Sequence, residues 1–423
     1  MKRYLLLFAI GIVVTAFIPN LTRKTAAAAL QDDARVAHVL EFLKANAAAA
    51  TEEQIRITEI AAPPFHEGAR AAYMKKLLTT AGLRVDMDAT GNVIGEFTGT
   101  SPDIVMLTAH MDTVFPAGTN VAVKREGNRL LAPGISDNGT GLAAMVVIAR
   151  SFHEMKIKTK NTVLFVADVG EEGEGNLRGI RALVDTYKKR LKYVIALDGS
   201  ATEYVTTAAL ASRRVEITLT GPGGHSWSDF GVPNPIHALG RGIARFVAAR
   251  VPESPRTSFN IGEIEGGSSV NSIPSHAQMK VDLRSESEAE LSKLETFLRD
   301  SIQAGIDEEM SAARDRGMAG STSMLDLKIN VLGVRPAGDL PENSPLLAAV
   351  LAADMRVGNR SRRERSSTDA NIPLSVGIPA ISLGAGGRSG GAHTLEEWYE
   401  PTNRELGLQR VALTVLAVAG LEP

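Results

Sequence analysis

Residues 104–112 have the sequence Ile-Val-Met-Leu-Thr-Ala-His-Met-Asp, which contains the clearest strand signal in the chain. The first five residues form a short apolar run that includes β-branched side chains, and such a run is typical of a buried strand. The run leads directly into His110 and Asp112, two ionisable residues that share one face if the strand continues. The stretch therefore predicts a buried strand with polar chemistry at its carboxyl end.

The neighbouring sequence repeats this pattern. Short apolar runs occupy residues 93–97, 162–167 and 193–197, and longer helix-like stretches occupy residues 141–152 and 178–187. Strands that alternate with helices are typical of α/β domains, in which helices cover a largely parallel sheet. We therefore predict a three-layer α/β domain.

A different pattern begins near Arg213. Strand signals and helix signals follow one another in the order β-α-β-β-α-β, which is that of a ferredoxin-like α+β unit. They occupy residues 214–220, 235–249, 258–265, 277–283, 286–309 and 325–332. Alternating α/β character then resumes to the C-terminus. The prediction is one α/β domain, residues 31–212 and 333–423, interrupted by an α+β domain over 213–332.

The first 29 residues have the composition of an export signal. Lys2 and Arg3 precede an uncharged, mostly apolar run over 4–22, and small residues at Ala-x-Ala spacing lead to Ala29. We expect cleavage there and a periplasmic or secreted protein. Cleavage near Ala16 and an uncleaved N-terminal membrane anchor remain alternatives.

Composition excludes several classes of function. Lys and Arg total 46 against 48 for Asp and Glu, so the chain lacks the basic excess of a nucleic-acid-binding protein. It contains no cysteine, which excludes disulfides, thiolate catalysis and cysteine-bound zinc. Any metal ion must therefore be held by His, Asp and Glu side chains.

Such side chains recur where apolar strands end or helices begin. Open α/β sheets bind ligands at the carboxyl ends of their strands, so these positions are expected to converge. Two histidines and several carboxylates without cysteine suit zinc, cobalt or manganese, and one central carboxylate can bridge two ions. The residues are, in chain order, His110, Asp112, Asp137, Glu171, Glu172, Asp198 and His393.

This ordered set resembles the M20 family of co-catalytic dizinc metallopeptidases and amidohydrolases, whose members include peptidase T-like aminopeptidases, carboxypeptidases and acyl-amino-acid deacylases. The resemblance runs from about Gln31 to the C-terminus, and it implies that the α+β insertion is the family's lid or dimerisation domain.

The resemblance also implies a role for each residue. One Zn²⁺ is bound by His110 and Asp198. The other is bound by Glu172 and His393. Asp137 bridges the two ions. Asp112 holds the ring of His110 in its tautomer, and Glu171 is the general base.

Three residues of the insertion match the family pattern. His225, in the sequence Gly-Pro-Gly-Gly-His-Ser, resembles the histidine that steadies the tetrahedral oxyanion, often across a dimer. Asn271 and Arg284 resemble residues that hold the polar or carboxylate end of the substrate. A turn histidine and a structural ion pair between strands are the alternatives for His225 and Arg284. The resemblance implies a homodimer formed through the insertion.

The substrate class depends on Asp198. Family deacylases and carboxypeptidases usually have Glu at this position, whereas peptidase T-like aminopeptidases have Asp. We therefore expect an aminopeptidase that hydrolyses short peptides, with a carboxypeptidase or an N-acyl amino acid deacylase as the alternative. A non-catalytic binding ectodomain is a further alternative, but such proteins typically lose metal ligands or the base.

Two other motifs favour less specific interpretations. Ser389 lies in a G-x-S-x-G sequence, which is the spacing of a serine-hydrolase nucleophile elbow. That elbow needs an acid and then a histidine downstream, and the only later histidine is His393, four residues on, so we reject this interpretation. Five arginines are predicted to be a solvated helix end and loop, with a grip on an anionic ligand as the alternative. They are Arg356, Arg360, Arg362, Arg363 and Arg365.

Overall fold

The computed structural model describes residues 33–316 and 324–422. The predicted export segment over 1–29 lies outside these residues. Within the part of the chain described, no helix is both long enough and apolar enough to cross a membrane.

Ten α-helices lie in the described residues. Local signals fix several of their ends: the side chain of Asn234 caps one helix and Pro235 opens it, while Gly358 in the left-handed region ends another. In chain order they are α1 Ala34–Ala45, α2 Ala47–Thr58, α3 Gly68–Thr80, α4 Gly139–Glu154, α5 Arg178–Tyr187, α6 Pro235–Phe246, α7 Glu288–Asp315, α8 Pro345–Val357, α9 Asn371–Ser375 and α10 Arg404–Ala419.

The strands of the same residues form four sheets. They are β1 Arg84–Met87, β2 Val93–Phe97, β3 Ser101–His110, β4 Lys124–Glu126, β5 Arg129–Leu131, β6 Asn161–Asp168, β7 Leu191–Leu197, β8 Tyr204–Ala209, β9 Ala211–Thr220, β10 Gly224–His225, β11 Thr257–Gly266, β12 Ser272–Ile273, β13 His276–Ser285, β14 Asp326–Arg335, β15 Gly338–Asp339, β16 Arg362–Ser366, β17 Ala380–Leu383, β18 Arg388–Gly390 and β19 Trp398–Glu400.

The main sheet has the strand order β1-β2-β6-β3-β7-β17-β8-β15, and β16 pairs with β8. Its centre is parallel: β6, β3, β7 and β17 all run in one direction. Helices α4 and α10 both contact β3, and the central strands are almost wholly buried. The prediction of an α/β fold is confirmed, and the parallel centre places the carboxyl ends of these four strands at one edge.

A second, antiparallel sheet has the order β11-β13-β9-β14 and packs against α6 and α7. These elements enclose a hydrophobic core of their own, which includes Ile217, Leu239 and Ile302. Their order along the chain is the predicted β-α-β-β-α-β. The sheet begins at Ala211 and ends at Arg335, whereas the predicted domain boundaries at 213 and 332 stay a prediction.

The structure corrects the prediction for the arginine cluster. Arg362, Arg363 and Arg365 lie on a strand, β16, which pairs in parallel with β8, rather than in a loop. Arg356, in the last turn of α8, and Arg360, in the loop after it, are exposed as predicted. The sequence Arg-Arg-Glu-Arg-Ser has no apolar alternation, so its pairing depends on the neighbouring strand and leaves no local signal.

Candidate metal centre

Parallel pairing brings the predicted strand-end residues to one edge of the main sheet. His110, the last residue of β3, lies opposite Asp168, the last residue of β6. Ala109 lies opposite Leu197, the last residue of β7, so the segments that follow β6 and β7 leave the sheet beside His110. Glu171 and Glu172 are in the first of these segments and Asp198 begins the second.

Four of the predicted ligands converge on one point. Nε2 of His110 lies 3.1 Å from Oδ1 of Asp137. Nε2 of His393 lies 3.1 Å from Oδ2 of Asp137 and 3.0 Å from Oε1 of Glu172. Asp137 therefore stands between the two histidines and presents one carboxylate oxygen to each, as a bridging ligand must.

The turn that carries Asp137 is fixed by its neighbours in sequence. Gly134 has φ +79°, and a Cβ atom there would lie 2.7 Å from Cγ2 of Thr113, so this position requires glycine. The side chain of Asn138 donates to the carbonyl of Leu197 at 2.7 Å and accepts from the N–H of Gly141 at 3.1 Å. Asn138 thus joins the start of α4 to the end of β7.

Asp112 contacts His110 through its backbone. Nδ1 of His110 lies 3.1 Å from the backbone oxygen of Asp112 and 3.8 Å from its carboxylate. A proton on Nδ1 that is donated to this carbonyl leaves Nε2 free to bind a metal. The buried carboxylate of Asp112 instead accepts the N–H groups of Glu171 and Glu172, at 3.0 and 2.8 Å.

Asp198 lies at the end of β7, and its N–H donates to the carbonyl of Leu383 on β17 at 3.0 Å. Burial, reinforced by the charge of Asp137, raises the pKa of Asp198 well above its usual range. A carboxyl group held close to other carboxylates in this way is stabilised as an anion when a cation binds nearby.

The electrostatics of the cluster fit a cation. Burial opposes ionisation of Asp137, but the two neighbouring histidines, His110 and His393, outweigh burial and lower its pKa. Hydrogen bonds with Asp137 and Glu172 raise the pKa of His393 to about 10. Burial lowers the pKa of His110, but Asp137 outweighs it and the net direction is well upward.

An unpaired oxygen gives an independent test of that fit. Oδ1 of Asp137 is buried and has no hydrogen-bond donor of suitable geometry among the described residues, although Nε2 of His110 lies 3.1 Å away. A buried carboxylate oxygen without a donor is costly. A metal ion between the two atoms removes that cost, so the residues fit a metal centre.

The sequence did not single out Arg335, the last residue of β14. Its Nη1 lies 2.7 Å from Oε1 of Glu171, its Nη2 contacts the backbone carbonyl of Glu171, and both side chains are buried. Burial raises the pKa of Glu171, Arg335 opposes that shift, and Glu172 reinforces it. Arg335 lies 164 residues from Glu171 in the sequence. Only the folded structure, in which the two form an ion pair, therefore identifies it as a partner of the predicted base.

The residues predicted in the insertion lie apart from the cluster. His225 on β10 is exposed and pairs with Ser272, next to Asn271, whose carbonyl accepts from the N–H of Ser226 at 3.1 Å. In the described part of the chain, no hydrogen bond or ion pair joins His225 or Asn271 to the predicted metal ligands. His225 and Asn271 therefore form a second, exposed group.

Arg284 is engaged by an acidic residue of its own strand. Its Nε lies 2.6 Å from Oδ2 of Asp282, which also pairs with Arg214 on the adjacent strand at 3.3 Å. Arg214 in turn donates to the carbonyl of Gly173 at 2.7 Å, in the segment that follows the glutamate pair. The sequence left open a structural ion pair between strands for Arg284; the pair that Arg284 makes lies within its own strand, and Asp282 is joined to the adjacent strand by Arg214.

Comparison with known proteins identifies the family of this site. The sequence profile of Peptidase family M20/M25/M40 matches residues 106–417, which include every predicted metal ligand. The chain belongs to this family. The resemblance that rested on strand-end residues is confirmed, and the protein is a hydrolase of the M20 peptidase family.

Relatives within the M20 family differ in activity. The Bacillus subtilis protein YqjE is 26% identical over 355 residues, which cover 79% of this chain and 89% of YqjE. Carboxypeptidase G2 from a Pseudomonas species is 24% identical over 307 residues, 70% of this chain and 69% of that enzyme. The crystal structure of aminopeptidase PepT from Bacillus cereus matches with a TM-score of 0.68 at 23% identity, over 89% of this chain and 99% of that chain. The likeness to PepT shows a shared fold.

Proposed function

We propose that the protein is a co-catalytic dizinc exopeptidase that hydrolyses amide bonds of short peptides, as an aminopeptidase. The observation that carries the metal site is the position of Asp137, with one carboxylate oxygen 3.1 Å from each of two histidine Nε2 atoms. His110 and Asp198 would hold one metal ion, Glu172 and His393 would hold the other, and Asp137 would be shared by both. Cobalt or manganese are alternatives to zinc with the same ligands.

Two ions held in this way would polarise the scissile carbonyl and lower the pKa of a water molecule. Glu171 accepts a proton from the attacking water and delivers it to the leaving amine, a role worth about 10²–10⁴-fold in rate. Arg335 occupies Oε1 of Glu171, so Oε2 is the oxygen that accepts the proton. The carboxylate of Asp112 holds the N–H group of Glu171 and fixes the backbone that carries the base.

Asp198 supports the aminopeptidase over its alternatives. This position carries Asp in peptidase T-like aminopeptidases and Glu in most deacylases and carboxypeptidases of the family. The sequence similarity to carboxypeptidase G2 favours the second candidate, a carboxypeptidase or N-acyl amino acid deacylase. In that case Arg284 and Asn271 hold the carboxylate end of the substrate.

Three forms of one tripeptide separate these activities: the free peptide, its N-acetyl form and its C-terminal amide. An aminopeptidase cleaves the free peptide and the amide but not the N-acetyl form. A carboxypeptidase or deacylase cleaves the N-acetyl form and resists the amide. Cleavage of none of the three forms, together with no bound metal, would return the chain to the binding-ectodomain alternative.

The homodimer is a separate part of the proposal. The α+β segment exposes Trp227, Phe230, Ile264 and Val270, and Trp227 is 88% exposed. Large exposed apolar side chains favour a protein–protein contact, and His225 lies beside Trp227. If His225 acts across the dimer, mixing inactive Glu171→Gln and His225→Ala proteins restores activity when subunits exchange. A monomer in sedimentation, with no restoration, would contradict the dimer.

Export to the periplasm or medium also stays a proposal, with an N-terminal membrane anchor as the alternative. It is supported by the basic start and apolar run of residues 2–22. Fractionation of cells that express the full chain, with N-terminal sequencing of the product, tests it. A mature N-terminus near residue 30 in the soluble exported fraction is expected, and an intact cytoplasmic protein would contradict it.

A further inference from the structure

Glu397 is a fully buried carboxylate four residues after His393. Among the described residues no Lys, Arg or His forms an ion pair with it. A buried carboxylate without a cation must be stabilised by hydrogen-bond donors. The residues that supply those donors show which part of the chain the carboxylate holds in place.

Among the described residues, the four donors to the Glu397 carboxylate all come from one turn. Oε2 accepts the N–H of Gly134 at 2.8 Å. Oε1 accepts the N–H of Ser136 at 2.8 Å, its hydroxyl at 2.6 Å and the N–H of Asp137 at 3.0 Å. The backbone oxygen of Glu397 also accepts the N–H of Ala132 at 3.1 Å. One residue therefore satisfies most of the backbone donors of the turn that ends in Asp137.

The same residue is tied to the segment that carries His393. Its N–H donates to the carbonyl of Thr394 at 3.3 Å, and β19, which follows directly, pairs with β5 next to the turn. Asp137 and His393 come from parts of the chain 256 residues apart, yet His393 Nε2 lies 3.1 Å from Asp137 Oδ2. Glu397 is hydrogen-bonded to the turn that carries Asp137 and lies four residues along the chain from His393, so it connects the two segments.

We propose that Glu397 is a positioning residue that sets the separation of Asp137 and His393 and thereby determines metal affinity. This inference rests on the proposed metal-binding roles of those two residues. Partners that orient metal ligands from the second layer typically contribute about 10–100-fold to metal affinity or activity. Glu397 does so through the backbone of the bridging ligand.

The test is Glu397→Gln, which keeps the shape but replaces one acceptor oxygen by an amide that cannot accept. Glu396→Gln is the matched control, because it makes the same charge change at the adjacent, exposed residue. Zn²⁺ affinity is measured on full-length protein by competition with a chelator. We expect a loss of about 10-fold or more for Glu397→Gln and little change for Glu396→Gln. Excess Zn²⁺ should recover part of the lost activity.

Two further measurements keep the inference falsifiable. Ser136→Ala removes only the hydroxyl donor and should weaken Zn²⁺ binding less than Glu397→Gln. The visible spectrum of Co²⁺-loaded protein reports ligand geometry and should change in Glu397→Gln but not in Glu396→Gln. A Glu397→Gln protein with a lower melting temperature but unchanged Zn²⁺ affinity and Co²⁺ spectrum would overturn the positioning role alone. Wild-type protein that binds no metal would overturn both this inference and the proposed function.

Discussion

Arg335 and Glu171 form a buried ion pair that links the α+β segment to the candidate base. Nη1 of Arg335 lies 2.7 Å from Oε1 of Glu171, and Nη2 contacts the backbone carbonyl of the same glutamate. Arg335 ends β14, whereas Glu171 follows β6 of the main sheet. The orientation of the base therefore depends on a residue contributed by the second sheet.

Arg335→Met tests the energetic weight of this pair. The substitution leaves the buried Glu171 carboxylate without its cation, which typically costs about 3–5 kcal/mol of the free energy of unfolding. Arg363→Met is the control, since it removes an exposed pair with Glu342 that should contribute about 1 kcal/mol or less. Denaturant unfolding measures both. Equal losses in the two variants would show that the buried pair has no special role.

Metal affinity should rise with pH. The pKa values of His110 and His393 are both raised in the metal-free cluster, that of His393 to about 10. These shifts favour the imidazolium form, in which each ring carries a second proton. A metal must displace these protons, and protonated imidazole cannot bind it. Chelator competition between pH 6 and 8 should show affinity increasing by about 10-fold per pH unit for each displaced proton. Affinity that is constant over this range would contradict the ligand assignment.

Asp168 and Asp369 are two buried carboxyl groups that influence each other's ionisation. Oδ2 of Asp168 and Oδ1 of Asp369 have no donor among the described residues, and a proton shared between the two carboxyls satisfies both. Burial and the charge of Asp168 raise the pKa of Asp369 well above its usual range. The folded protein therefore keeps a proton that the unfolded chain releases above about pH 4.

The sign of the resulting pH dependence follows from the raised pKa. The stabilisation by the shared proton is complete below the unfolded pKa and is lost as pH rises towards the folded pKa. Asp369→Asn supplies an amide donor that does not titrate. The free energy of unfolding of the wild type should therefore fall relative to that of the variant by up to about 1.4 kcal/mol per pH unit above pH 4. Asp185→Asn, an exposed aspartate on α5, is the control. Parallel stability curves for wild type and Asp369→Asn would contradict the shared proton.

Much of the main fold could be predicted because its signals are local. The strand over 93–97 and the helix over 178–187 have the predicted bounds, since buried apolar runs and their end residues mark them. The small antiparallel sheet of β4, β5, β18 and β19 was not predicted. Its strands are three residues long, too short to show a period.

The residues of the candidate site also fall into those that local sequence predicts and those that only the folded structure reveals. The ionisable residues at the ends of β3, β6 and β7 could be found because the sheet rule places strand ends together. Arg335 and Glu397 could not be found, since nothing near them in sequence distinguishes an arginine or glutamate that is buried against a distant turn. Their importance depends on contacts that only the folded chain brings about.

The most direct test of the central claim is the turnover of Glu171→Gln at full metal occupancy. The substitution removes the base but leaves every proposed ligand. We predict wild-type metal content, two ions per chain, with kcat on a free tripeptide reduced by about 10²–10⁴-fold. Near-normal turnover with the same metal content would contradict the assignment of Glu171 as the general base and the mechanism built on it.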